Sequence, residues 1–208
     1  MEYLDQMGKR AVEAKSELQS MSSEQKNKAL SAAAKALEQE MDAILTENAK
    51  DYEIAQKGGM SQGLLDRLKL NEQRIKGMAE GLYQICDLDD PIGEVMESFD
   101  RPNGLHIEKV RVPMGVIGII YEARPNVTAD AFGLCFKAGN AVILKGGKDA
   151  FYSNQAIVNV IRKTLTDEGI NPDAIQLIEK NERAVTNEFM RLKEYVDLLI
   201  PRGGAGLI

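Results

Sequence analysis

The chain has 208 residues, 44% hydrophobic and 28% charged, with a net charge of −6. This is enough apolar material for one good core. The interspersed charges form no basic stripe for a nucleic acid, and no apolar run reaches the ~18–20 residues of a membrane-spanning helix.

The N-terminus, MEYLDQMGKRAVEAK, lacks the apolar centre of a secretory signal. Leu4, Met7, Ala11, Ala14, Leu18 and Met21 recur at three- and four-residue steps, which predicts a helix with one apolar stripe. Ser22-Ser23-Glu24-Gln25 offers a capping box, with Ser22 as N-cap, and predicts an alanine-rich helix running to about Leu45. A further amphipathic segment ends at the Gly58-Gly59 pair, and Asn71 can cap a helix carrying Ile75, Met78, Leu82, Ile85 and Cys86. Residues 1–93 are therefore read as a helical region.

The texture changes at Asp89-Asp90-Pro91. Residues 94–112 read as a β-hairpin, with FDRPNG at 99–104 as turn chemistry and one solvated face. From residue 113 onward, apolar runs at Val116–Ile120, Ala141–Leu144, Ala174–Ile178 and Val196–Ile200 alternate with helical segments near Thr128–Lys137, Ala150–Glu168 and Arg183–Leu192. Gly139 and Gly169 stand where C-caps are wanted. Strands without polar alternation, separated by helices, predict an α/β unit with a parallel sheet covered on both faces. Right-handed crossovers then bring all the strand ends to one rim, where open α/β sheets bind ligands.

Three strand ends carry chemistry at that rim: Glu122-Ala123-Arg124-Pro125-Asn126, Lys145-Gly146-Gly147-Lys148, and Pro201-Arg202-Gly203-Gly204-Ala205-Gly206. Glycines and cations at helix N-termini suit an anionic ligand such as a pyrophosphate-bearing nucleotide. Each has a plainer reading. Asn126 can be a helix N-cap or a donor to a developing oxyanion. Lys145 and Lys148 can be solvated charges, and Glu122 and Arg124 can pair with each other for ~0–1 kcal/mol at a surface. Cys86 and Cys135 read as buried packing residues, and His106 as a face-filling residue of the hairpin. Two cysteines without metal-ligand spacing predict a reduced, cytoplasmic protein with no metal site. No nucleophile is paired with a base.

The stretches VPMGVIGIIYEARPNVTADAF, KAGNAVILKGGKDA and LIPRGGAGLI closely resemble the γ-glutamyl phosphate reductase (glutamate-5-semialdehyde dehydrogenase) family of the aldehyde dehydrogenase superfamily. The wording YEARPNVT followed by GNAVILKGG separates this family from ordinary aldehyde dehydrogenases. The likeness spans the whole chain and about the first half of a full-length member. It implies a Rossmann-like parallel sheet with flanking helices, and a hairpin at 94–112 that pairs with a partner subunit in a homo-oligomer.

The resemblance also implies an NADPH-dependent reduction of γ-glutamyl phosphate to glutamate 5-semialdehyde, with release of phosphate, in proline biosynthesis. A functional link to glutamate 5-kinase goes with it. Asn126 matches the asparagine that holds the thiohemiacetal oxyanion, and Lys145 the lysine at the adenosine ribose. Gly146, Gly147 and Lys148 match the loop where a 2′-phosphate sits, and Arg202, Gly203 and Gly204 the turn near the pyrophosphate. Glu122 and Arg124 are candidates for contacts to the substrate. The family's catalytic cysteine lies beyond the glycine turn, in a separate domain, and neither Cys86 nor Cys135 matches it. The expectation is that these 208 residues alone do not turn over an acyl phosphate. A stand-alone NADP-binding or dimerising module without chemistry fits the same residues.

Overall fold

The computed structural model describes residues 2–203. Helix α1 (Glu2–Leu18) buries the expected stripe of Leu4, Met7, Ala11, Ala14 and Leu18. Helix α2 (Ser23–Gln39) starts on the capping box: Gln25 N donates to Ser22 Oγ at 3.2 Å and Ser22 N donates to Gln25 Oε1 at 2.8 Å. It stops at Gln39, short of the expected Leu45. Glu40 leaves the helical region at φ −93° and ψ 16°, and α3 (Met41–Lys57) continues from there. The buried phase runs on from Leu37 to Ile44 in a seven-residue step, so the hydrophobic pattern carries no mark of the break.

Gly59, at φ +76°, closes α3. The short α4 (Gln62–Leu68), not foreseen in the sequence, is anchored by Leu65 and Leu68. Asn71 caps α5 (Glu72–Asp87), its Oδ1 accepting from Arg74 N at 2.8 Å.

The hairpin pairs β1 (Val95–Asp100) with β2 (His106–Val110) in antiparallel register, Phe99 opposite Ile107 and Val95 opposite Val110. The expectation of one solvated face is corrected: every residue of both strands is exposed. Among the described residues no other element covers the apolar side, so the alternation in the sequence marks a face that they leave open. His106 likewise fills no face; its Nδ1 lies 2.8 Å from Asp100 Oδ1 at the surface. The root of the arm is fastened at Asp90, which pairs with the buried Lys26 ammonium and accepts from Ser23 Oγ at 2.6 Å and Ile92 N at 3.0 Å. Burial alone would raise the Asp90 pKa, but the Lys26, Ser23 and Ile92 donors bring it below the ordinary carboxylate value.

The remaining elements are β3 (Val116–Ile120), α6 (Asn126–Lys137), β4 (Ala141–Lys145), α7 (Phe151–Asp167), β5 (Ile175–Leu177), α8 (Arg183–Phe189) and β6 (Leu198–Pro201). The four strands form one parallel sheet in the order β5-β4-β3-β6. The strands β3 and β4 are buried throughout, as their unbroken apolar runs require. Helices α6 and α7 pack on β4 and β5, and α2 and α5 lie over α6. A single apolar cluster runs from α1 through the sheet to Phe189 of α8. Gly118 in mid-strand leaves room for that phenyl ring, since a Cβ there would lie 2.8 Å from Phe189 and Leu199.

Polar groups inside this packing are tied to specific partners. No residue of its own sequence caps α7. Asp51 of α3 does so instead, accepting from Tyr152 N at 3.1 Å, Ser153 N at 2.7 Å and Ser153 Oγ at 2.5 Å. Burial raises the Asp51 pKa against these donors. Asn48, one turn earlier, bonds Ser153 Oγ, Leu68 O and Leu70 N, which holds the α4–α5 connection against α3. Among the described residues no helix is long and apolar enough to cross a membrane, and no cluster of His, Cys, Asp or Glu could hold a metal.

Candidate functional site

The strand order explains where a cleft opens. From β3 the chain moves outward through β4 to β5, then returns to the other side of β3 as β6, so the strand order reverses between β3 and β6, at a switch point. The ends of β4, β3 and β6 are neighbours there. They line a cavity of about 720 Å³ with Tyr121, Glu122, Ala123 and Arg124 after β3, Lys145, Gly146, Gly147 and Lys148 after β4, and Arg202 and Gly203 after β6. Met60, Leu64 and Arg67, from α4 and the turn before it, close the opposite wall. Gly204, the last residue expected in this set, lies outside the described residues.

Asn126 is placed one step away. It lines an adjoining cavity of about 380 Å³ with Asp66, Arg67, Arg74, Gly77, Met78, Arg124 and Asp130. Arg67 and Arg124 border both cavities. The N-cap reading of Asn126 is corrected. Helix α6 begins with Asn126 itself, Pro125 holds the cap position without a side-chain bond, and Asn126 Nδ2 donates to Asp130 Oδ2 at 3.3 Å one turn on. The proline's own ring fixes a helical φ, which leaves the asparagine amide free of capping duty.

The glycines after β4 are set by their neighbours. A Cβ on Gly146 would lie 2.2 Å from Asn154 Nδ2, and one on Gly147 would lie 3.3 Å from the backbone carbon of Glu122. Asn154 is held in turn: its Oδ1 accepts from Thr128 Oγ1 at 3.0 Å, and Thr128 meets the buried Tyr121 hydroxyl at 2.7 Å. Burial drives the Tyr121 pKa upward, against the Thr128 bond, so this hydroxyl stays protonated as a structural group. The chain Tyr121–Thr128–Asn154 thus ties the end of β3 to α6 and α7, and Asn154 stands against Gly146 after β4.

Lys145 is buried rather than solvated. Its Nζ donates to Gly146 O at 2.9 Å and Asn181 Oδ1 at 3.3 Å, and burial lowers its pKa against the opposing field of Glu182. Lys148 is exposed and borders a further hollow of about 480 Å³ with Gly58, Gly59 and Tyr152. Arg10, Arg74, Arg111 and Arg162 pair with carboxylates, whereas Arg67, Arg124 and Arg202 have none within ion-pair distance among the described residues. Unpaired guanidinium groups around a glycine-floored cleft suit phosphate and carboxylate oxygens.

Neither cysteine reaches either cavity. Cys135 is buried and its thiol is pushed up to about 12 by burial, the opposite of an activated nucleophile. Cys86 is half-buried, not fully as expected, and its Sγ lies 3.5 Å from Asn27 O. Sequence reasoning did not single out Arg67, Asp130, Thr128 or Asn154. Thr128 and Asn154 carried a usable signal, as polar residues on the apolar stripes of their helices.

A parallel sheet whose inner strands β3 and β4 are buried, with its edge strand β6 exposed instead of covered as expected and a cleft at its switch point, defines the class, and comparison with known proteins agrees. Residues 2–200 match the family model for the aldehyde dehydrogenase family, and the chain belongs to that family. It is 57% identical over 201 residues, 97% of its length, to the γ-glutamyl phosphate reductase of Moorella thermoacetica, of which it covers 48%. A crystal structure of γ-glutamyl phosphate reductase from Thermotoga maritima superposes with a TM-score of 0.96 at 43% identity, over 98% of this chain and 49% of that one. The Saccharomyces cerevisiae γ-glutamyl phosphate reductase structure gives 0.89 at 31% identity, over 97% and 51%. The chain spans about half the length of the curated relatives it matches.

Proposed function

We propose that this chain is the cofactor-binding part of a γ-glutamyl phosphate reductase, which uses NADPH to convert γ-glutamyl phosphate to glutamate 5-semialdehyde and inorganic phosphate. The observation that carries this reading is the convergence of Lys145, Gly146, Gly147, Lys148, Arg202 and Gly203 on one cavity, with Asn126 in the cavity beside it, in a chain with relatives of that name.

The donor set fits a phosphorylated nucleotide. Gly146 and Gly147 keep the floor free of Cβ atoms, so backbone can approach a ligand closely. Arg202, with no carboxylate within ion-pair distance among the described residues, answers a pyrophosphate charge. Exposed Lys148 answers a 2′-phosphate, which is the basis for naming NADP rather than NAD. Lys145, anchored through Gly146 O and Asn181, presents its ammonium to the ribose side. NADPH, when bound, supplies the hydride that turns an acyl group into an aldehyde.

On the substrate side, Asn126 donates one N–H of its amide to Asp130 and keeps the second for the carbonyl oxygen, where negative charge develops. Arg124 and Arg67, which border both cavities, face the phosphate that leaves that carbon, and Glu122 lines the larger cavity. The thiolate that takes the acyl group from phosphate is neither Cys86 nor Cys135, so the 208 residues alone bind ligands and leave the acyl phosphate intact. The uncovered hairpin is the surface through which two copies associate, and the enzyme works in the cytoplasm beside the glutamate 5-kinase that makes its labile substrate.

Calorimetric titration tests the cofactor assignment. NADPH binds more tightly than NADH by about tenfold or more, the worth of one charge-assisted hydrogen bond, and Lys148→Glu reverses the preference. Equal affinity for the two cofactors, or none for NADPH, contradicts it. A second reading, a binding module without chemistry, is favoured by the absence of a cavity-facing cysteine among the described residues. It is refuted by NADPH oxidation once the relatives' second half is supplied in trans.

A further inference from the structure

The 380 Å³ cavity holds a carboxylate that the reaction as described does not use as a ligand-binding group. Asp130 is half-buried on α6, one helical turn beyond Asn126 and on the same face. Its Oδ2 accepts from Asn126 Nδ2, and among the described residues no hydrogen bond reaches its Oδ1. That oxygen lies over Gly81 of α5, 3.7 Å from where a Cβ would stand. No lysine or arginine of the described residues is within ion-pair distance of it; only the field of Arg202 reaches it. Burial raises its pKa, against the Asn126 bond and that field.

A carboxylate drawn from water without a cation is costly unless something supplies one. The same cavity is flanked by the guanidinium groups of Arg67 and Arg124, which have no carboxylate within ion-pair distance among the described residues, and by the Arg74–Asp66 pair. Its wall on α5 is made by Arg74, Gly77 and Met78, and a Cβ added at Gly77 would meet nothing within 4 Å. The cavity lining therefore offers the Asp130 Oδ1 acceptor, the cations of Arg67 and Arg124, and space beside Gly77.

We infer that this cavity is an amino-acid subsite in which Asp130 Oδ1 accepts from the α-ammonium group of the substrate while Asn126 engages the side-chain carbonyl and Arg67 and Arg124 the attached anion. The spacing is suitable: Asn126 and Asp130 are one turn apart, ~5.4 Å along the axis, and a γ-carbonyl is separated from its α-amino group by two methylenes and Cα. Asp130 would then distinguish an α-amino dicarboxylic acyl group from one that lacks the amine. This rests on the reading of the chain as a γ-glutamyl phosphate reductase, and it adds the group that selects the amino acid.

The test is protein-detected NMR titration of the 208-residue chain with L-glutamate and with glutarate, which differs by lacking the α-ammonium. L-glutamate binds tighter than glutarate by about tenfold, and Asp130→Asn abolishes that preference while NADPH affinity is retained. Equal affinity for the two probes, no binding of L-glutamate, or a preference that survives Asp130→Asn overturns the assignment. Should Asp130→Asn fail to fold, Gly77→Leu fills the cavity from a position with open space and touches no charge. It abolishes L-glutamate binding, and unchanged binding overturns the assignment. Failure with intact NADPH binding removes the subsite alone. Loss of NADPH binding in the unmodified chain removes the cofactor reading, so the two are separable.

Discussion

Gly146→Ala is the sharpest perturbation of the cleft floor. The new methyl carbon would stand 2.2 Å from Asn154 Nδ2. Asn154 is buried and its Oδ1 is committed to Thr128, so it can move aside only by giving up that bond. Overpacking a filled interior costs about 1–3 kcal/mol, and leaving a buried polar group unsatisfied costs about 1–3 kcal/mol more, which together give a loss of roughly 2–5 kcal/mol. Urea unfolding followed by circular dichroism measures it as a lowered midpoint at unchanged slope. The cause is isolated by a double-mutant cycle. In an Asn154→Ala background the nearest obstacle is gone and only the Tyr121 ring, 3.3 Å from the new methyl, remains, so Gly146→Ala costs under about 1 kcal/mol and the two changes couple by about 1 kcal/mol or more. Additive effects, or a loss below about 0.5 kcal/mol in the unmodified background, would refute the claim that Asn154 dictates the glycine.

The Lys26–Asp90 pair makes the root of the hairpin dependent on pH. Asp90→Asn leaves the buried Lys26 ammonium without its partner and costs about 3–5 kcal/mol at neutral pH. Because the folded-state pKa of Asp90 lies below the ordinary 3.8, its contribution is complete above that value and is lost as pH falls through the depressed one. The stability gap between unmodified protein and variant therefore narrows in acid, and a gap that widens there contradicts the sign. Phe99 and Ile107 face each other across the exposed hairpin. Replacing both with serine lowers the association seen by analytical ultracentrifugation at least several-fold, and an unchanged distribution rules out the hairpin as the interface.

Much of the architecture was legible because it is written in periodicity. The α1 stripe, the capping box at Ser22, the Asn71 cap and the apolar runs of β3 and β4 each follow from a local rule, and each stands where expected. The failures share a cause. The break at Glu40 preserves the hydrophobic phase. Two leucines of α4 are too few to make a period. The hairpin's alternation describes a surface that the described residues leave uncovered.

The site was half legible. Glycines and cations at strand ends mark a rim, because loops at that rim have little other reason to combine them. Asn126 was harder, since capping and catalysis ask for the same residue type, and only the Pro125 backbone separates the two. Arg67 and Asp130 reach the cavities from α4 and α6, so their role depends on packing between distant segments. No local pattern encodes that.

The central claim is that the ends of β3, β4 and β6 form one nucleotide-binding rim. Backbone NMR of the chain titrated with NADPH tests it most directly. Amide resonances of Gly146, Gly147, Lys148, Arg202 and Gly203 should shift together along a single saturation curve, with those of Tyr3, Arg10 and Gln155 around the hollow at α1 left in place. Shifts confined to that hollow, or separate curves for the β4 and β6 ends, would contradict the account.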